Sequence, residues 1–317
     1  MMPHGASPLW PPSLEQGGCS SRWSRTPVVV IHITNQGNQL YLRKCLQETK
    51  RHNHDNVILL GDNGNKQMCK EIGIKHIHID SFPLSEERKQ FDKHFVNHSS
   101  NSYQFEKSCF LRWFIMFEFM TTHKIDRVVT TDSDVALLCE SNVWEDIVLG
   151  NFITKENVDK PFRMSNCIHT GVVTLDYISK FVVLCHDIYV SGTKQYLIDD
   201  KIEFHKSNTG GVCDMTVTYL LNLTENVSNL ADPSVTDNGG IIMNNIVSSE
   251  GYLGMGQYEM KNGLLCIYVV NNKYYLYDTI REILQLLLMI HFQGSNKNLL
   301  NGRYDISTLP NITRIER

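Results

Sequence analysis

Two carboxylates one residue apart, Asp132 and Asp134, stand at the end of a β-branched run in RVVTTDSDVALL (127–138). Alone, such a pair is a polar turn capping a strand. It also suits a divalent cation, because hard ions such as Mn²⁺ and Mg²⁺ take carboxylate and phosphate oxygens. A second group lies near the end of the chain, His291-Phe292-Gln293-Gly294-Ser295-Asn296-Lys297. By itself that stretch is a histidine after an apolar run and a solvated lysine after a glycine turn. Taken with the aspartates it completes a chemistry. Mn²⁺ tolerates an imidazole, so His291 can join the shell. Gly294 lets the backbone approach a phosphate, and Lys297 brings a compact positive charge to a departing diphosphate. A diphosphate carried on a metal ion accounts for every residue type.

Such a site needs elements that deliver its parts to one place. VVVIHIT (28–34) is a continuous apolar run, as a buried parallel strand should be, and NQLYLRKCLQETKR (38–51) carries a helical apolar stripe. VILLG and KHIHID continue the alternation as strands, with KQMCKEIG (66–73) as a short helix closed by Gly73. That rhythm predicts a doubly wound, mostly parallel sheet with helices on both faces and a ligand site beyond the strands' carboxyl ends. Residues 81–101 are polar and predict an irregular excursion with a single helical turn. A helix apolar nearly all round follows over 105–122, with Lys107 and Arg112 as its exceptions, and it leads into a fourth strand that ends at Asp132. CIHTGVVTLD (167–176) reads as a strand broken at Gly171, the next segment as a helix closed by Gly192, and GGVCDMTVTYLLNLT (210–224) as a helix after two glycines. IYVVNNKYYLYD predicts a hairpin turning at Asn271-Asn272.

At 317 residues, with 42% hydrophobic and 20% charged residues, the chain can bury a large single core over 27–303, with a disordered leader (1–26) and a C-terminal tail (304–317). A net charge of -4 supplies no basic footprint, so nucleic acid is not the expected partner. Nine cysteines spread singly favour reduced thiols and a cytoplasmic protein, while sequons at Asn97, Asn222, Asn226 and Asn311 keep the lumen of the ER or Golgi open. The longest apolar stretches are too short for a transmembrane anchor.

In order and distance, the β-α-β start, the buried helix, the strand ending in D-x-D and the late H-x-x-G-x-x-K resemble the GT-A glycosyltransferases, most of all the glycogenin and lipopolysaccharide galactosyltransferase family. The family often continues its late motif with Pro-Trp, where this chain has Asn298-Leu299. The resemblance implies a GT-A fold and transfer of a sugar from a nucleotide-sugar donor, a UDP-sugar first, to a hydroxyl on a glycan or glycoconjugate. Carried over, Asp132 would meet the ribose and the metal, with Ser133 beside it on the donor. Asp134 and His291 would bind Mn²⁺ or Mg²⁺, and Gly294 and Lys297 would hold the diphosphate. Ile33, Thr34 and Asn35 would meet the nucleobase and ribose.

Lys107 and Arg112 are donor candidates that could equally snorkel to solvent. Asp214 is a catalytic candidate or a helix N-terminal carboxylate. His169, Thr170 and Gly171 fall on the acceptor side, unless Gly171 only marks a bulge. A sugar nucleotidyltransferase and a non-catalytic glycan-binding protein remain the alternatives.

Overall fold

The structure, a computed structural model, describes residues 25–32, 40–143, 164–166, 169–224, 241–243, 257–300 and 312–314. Strands β1 (Val28–His32), β2 (Val57–Gly61), β3 (Lys75–His78) and β4 (Arg127–Thr131) are followed by the short β5 (Val135–Leu137) and by β6 (Thr170–Thr174). The first sheet has the order β3-β2-β1-β4-β6, parallel throughout except that β4 and β6 run antiparallel.

Side chains alternate across a strand, so Val28, Val30, Val57, Leu59 and Val129 fill one face of this sheet, and Val29, Ile58, Leu60, Val128 and Val173 the other. Both faces are covered, which is why the strands read as unbroken apolar runs. Helices α1 (Leu40–Asn53) and α2 (Lys66–Ile72) supply Leu42, Leu46 and Met68 to the first face. The second face receives α3 (Glu86–His94), α4 (Tyr103–His123), α5 (Leu175–Tyr189), α6 (Tyr196–His205) and α7 (Asp214–Thr224). This is the mixed α/β, parallel-rich architecture with an Asp-x-Asp after its fourth strand that the sequence predicts.

Residues 86–94 are a full helix, not the single turn expected. Phe91 is its one buried residue, too little for a visible period. Its start is fixed from outside: Glu118 of α4 accepts bonds from Ser85 N (2.8 Å), Ser85 Oγ (2.9 Å) and Arg88 Nη1 (2.9 Å).

A second sheet was not legible in advance. It contains β7 (Ile241–Met243), β10 (Ile267–Val270), β11 (Lys273–Asp278), β12 (Ile283–His291) and β13 (Ile312–Arg314), with β8 (Met260–Lys261) and β9 (Leu264–Leu265) pairing separately. Its order is β13-β10-β11-β12-β5, with β7 against β12. Asn271 and Asn272, at φ 50° and 61°, make the two-residue turn expected between β10 and β11. Part of the expected tail belongs here, since Ile312–Arg314 pairs in parallel with β10. Of the expected leader, Thr26 O accepts from Asn56 Nδ2 (2.6 Å) and Arg25 pairs with Glu140 (2.9 Å); residues 1–24 lie outside the described residues.

No described helix is long and apolar enough to cross a membrane. Seven described cysteines are free. Among the sequons, Asn222 is buried and Asn97 is folded into a local turn through Ser99 N and Asn101 O, while Asn226 and Asn311 lie outside the described residues.

The two glycines before α7 hold a backbone clasp. Gly211 bridges Ser99, Ser100 N donates to Gly210 O (2.8 Å), and Val212 N donates to His98 O (3.0 Å). At Gly211, φ is +142° and a Cβ would lie 2.2 Å from His98 O, whereas at Gly192 (φ +70°) a Cβ would meet nothing. Gly211→Ala is therefore expected to destabilise by roughly 3 kcal/mol or more, and Gly192→Ala by about 1 kcal/mol. Thermal unfolding of the two variants checks this, and the reverse ranking would contradict it.

Candidate metal centre

The Asp-x-Asp segment is the hinge between the two sheets. β4 stops at Thr131, and the chain turns at once, with Val135 N donating to Asp132 O (3.1 Å). Asp132 N donates to His169 O (2.8 Å), which ties the turn to the approach to β6. β5 then pairs antiparallel with β12 in a register that sets Val135 opposite His291, and Phe292 N donates to Asp134 O (2.9 Å). Thr49 and Asn53 of α1 satisfy the far edge of this pair, accepting from Leu137 N (3.1 Å) and donating to Cys139 O (3.1 Å).

This register carries His291 Nε2 to 3.3 Å from Asp134 Oδ1. Beyond β12, Gly294 turns the chain at φ +57° into helix α8 (Lys297–Leu300). The Lys297 ammonium then reaches Asp134 Oδ2 at 2.8 Å. At Gly294 a Cβ would enter open space, so what requires glycine here is the left-handed conformation of the turn.

Asp132, Asp134 and His291 each offer a ligand atom within 4.8 Å of the others. Two carboxylates and an imidazole form the donor set that Mn²⁺ accepts, and that Mg²⁺ accepts through the oxygens. Burial opposes ionisation of Asp134, but the hydrogen bond and charge of His291, together with Lys297, hold its carboxyl well below the ordinary range. Asp132 is pushed up, by burial and by Asp134, against the pull of Arg112. Adjacent like charges driven apart in this way are the conflict that a divalent cation between them relieves.

Arg112 is brought to the same place. Its Nη1 donates to Asp132, while Nη2 and Nε donate to Asp214 Oδ2 at 2.6 and 3.2 Å. Trp113 Nε1 reaches the same oxygen at 3.0 Å, and Met215 N donates to Asp214 Oδ1 at 2.9 Å. Asp214 is only 3% exposed. With both oxygens engaged it orients Arg112. Lys107 is not brought to the centre: it pairs with Asp92 (2.7 Å) and lies over Tyr103. Five residues are about 500° of helix, so it stands roughly 140° round α4 from Arg112. That rotation sets it apart from Arg112.

On β6, Thr170 stands opposite Thr131 with their hydroxyls 3.2 Å apart, and Gly171 stands opposite Thr130 in unbroken register, so no bulge occurs there. The His169 ring lies 4.9 Å from that of His291, buried, with no hydrogen-bond partner on either nitrogen. Burial and the neighbouring His291 push its pKa well below the ordinary value, which makes it a neutral imidazole. Ile33, Thr34 and Asn35 lie outside the described residues.

Sequence reasoning missed Tyr41 and Trp113. Tyr41 bonds Ser133, between the two aspartates, and its ring centre lies 5.3 Å from the Lys297 ammonium. Its place in α1 gave a signal only for burial. A small cleft beside Asp132 is lined by Ile31, Arg112, Trp113, Met116 and Thr130.

No protein-family model matches the sequence, and no curated protein matches it. Among solved structures the chain is similar to mouse xyloside xylosyltransferase 1 (14% identity, 64% of this chain and 83% of that one, TM-score 0.43). It is also similar to the WbbM bifunctional glycosyltransferase (13% identity, 88% and 47%, TM-score 0.41), of which it spans about half. A cytidylyltransferase from Leptospira borgpetersenii is similar too (13% identity, 57% and 72%, TM-score 0.30). At such scores nothing about residue roles or substrates passes from these proteins to this chain.

Proposed function

We propose that this chain is a metal-dependent glycosyltransferase of the GT-A kind, with the glycogenin-like group as its nearest relation in motif. It would move a sugar from a nucleotide-diphosphate donor, a UDP-sugar first, to a hydroxyl of a glycan or glycoconjugate. The observation that carries this reading is the meeting of Asp132, Asp134, His291 and Lys297 at the hinge of the two sheets, from positions far apart along the chain.

Asp132, Asp134 and His291 would hold the ion, Mn²⁺ or Mg²⁺, which when bound supplies Lewis-acid stabilisation to the diphosphate. Lys297 adds positive charge where the leaving group gains negative charge. Arg112, fixed by Asp214, steadies Asp132. Ser133 and Gly294 belong to the donor side, as would Ile33, Thr34 and Asn35. His169, Thr170 and Gly171 would fall on the acceptor side. In the reaction the acceptor oxygen bonds to the anomeric carbon, the bond from that carbon to the diphosphate breaks with its electron pair, and a departing diphosphate oxygen takes up the acceptor proton.

Incubation with a panel of UDP-sugars and Mn²⁺ tests this. Free UDP is expected from at least one donor, and chelation should stop its release. Pyrophosphate from a nucleoside triphosphate and a sugar phosphate would mean nucleotidyl transfer instead. Glycan binding with no nucleotide released from any donor would mean a non-catalytic protein.

A further inference from the structure

Lys297 sits where its own partner should not need it. If Asp134 is a metal ligand, its carboxylate is committed to the ion; yet Oδ2 takes the Lys297 ammonium at 2.8 Å while Oδ1 faces His291 at 3.3 Å. The lysine is therefore paired with the very group that the candidate ion would claim. It is held there from two sides. The Tyr41 ring lies 5.3 Å from the ammonium, and the Tyr41 hydroxyl bonds Ser133 within the Asp-x-Asp turn. The left-handed Gly294 starts the turn that aims α8 at the carboxylates.

We infer that Lys297 and the divalent cation compete for Asp134, and that a nucleoside diphosphate resolves the competition by drawing the ammonium onto its phosphates. The inference rests on the metal-dependent reading above. A carboxylate shared with an ammonium is a weaker ligand for a second cation, so the ion alone binds weakly. A diphosphate offers Lys297 a stronger, doubly charged partner and frees Asp134. Ion and nucleotide then favour each other's binding, and by linkage the effect is reciprocal. Lys297, a third exposed, has room for this shift without unpacking a core. The consequence for the protein is a centre that stays closed to free metal ions and assembles with the nucleotide.

The experiment measures free Mn²⁺ by electron paramagnetic resonance during titration of the full chain, with and without UDP, for the wild type, Lys297→Met, Lys297→Gln and Asp134→Asn. Without UDP, both lysine variants are expected to bind Mn²⁺ about three- to tenfold more tightly than the wild type, as removal of a competing ion pair worth on the order of 1 kcal/mol requires. In the wild type UDP should tighten Mn²⁺ binding, and in the lysine variants by a smaller factor. Unchanged or weaker Mn²⁺ binding by both lysine variants without UDP would overturn the competition while leaving the metal site intact. Mn²⁺ binding absent from the wild type with UDP, or undiminished in Asp134→Asn, would overturn the metal reading and this inference with it.

Discussion

Asp134→Asn is expected to lower Mn²⁺-dependent release of UDP by at least about a hundredfold while leaving the protein folded. Asparagine keeps the shape of the side chain and loses its charge. The carboxylate is shared by His291 and Lys297, at 3.3 and 2.8 Å, so a neutral side chain removes both a proposed ligand and a charge that gathers its partners. The bond that holds the local fold is untouched, because Phe292 N donates to the main-chain oxygen of residue 134. Stability should fall by about 1 kcal/mol or less, since Lys297 is partly in solvent and its ion pair is screened. UDP release with a fixed donor, alongside circular dichroism, checks both halves. Full activity in the variant would reduce the motif to a strand cap.

Arg112→Met is expected to cost roughly 3–5 kcal/mol of stability, more than any change at the metal ligands. Asp214 is 3% exposed and takes two of its bonds from Arg112; without the guanidinium its charge is buried with only the Trp113 and Met215 N–H groups facing it. The loss comes from the stranded carboxylate. A second change, Asp214→Leu, should therefore restore much of what the first removes, because an apolar pair can replace a buried ion pair at little cost. Urea unfolding of the single and double variants measures this. Additive losses would mean that the pair holds the fold by some route other than mutual charge compensation. Activity should not return in the double variant, as Asp132 would still lack its steadying partner.

The two largest effects thus fall on residues whose roles show to different degrees in the sequence. Asp134 was visible as a ligand because its chemistry is local, a carboxylate in a turn after an apolar strand. Arg112 was visible only as a cation out of place in an apolar helix. That it reaches two aspartates 20 and 102 residues away depends on how α4 packs against α7 and the end of β4. Lys107 looked the same in the sequence and differs by its place on the helix circumference, where Asp92 and Tyr103 meet it.

Parallel strands, buried on both faces, announce themselves as apolar runs, and glycines or asparagines announce the turns that need positive φ. On that basis residues 28–32, 57–61, 75–78 and 127–131, the helices at 40–53, 66–72 and 103–123 and the Asn271-Asn272 hairpin were readable from the residue pattern. The helix at 86–94 was hidden because one buried phenylalanine makes no period, and the strand at 283–291 because an apolar run of that length does not declare its pairing. What the amino acids determined by themselves was which groups could hold a cation and a diphosphate. What only the tertiary structure decided was the pairing of β5 with β12, the single register that turns an aspartate at 134 and a histidine at 291 into neighbours, because strand registry is set by contacts across the sheet and leaves no mark on either segment.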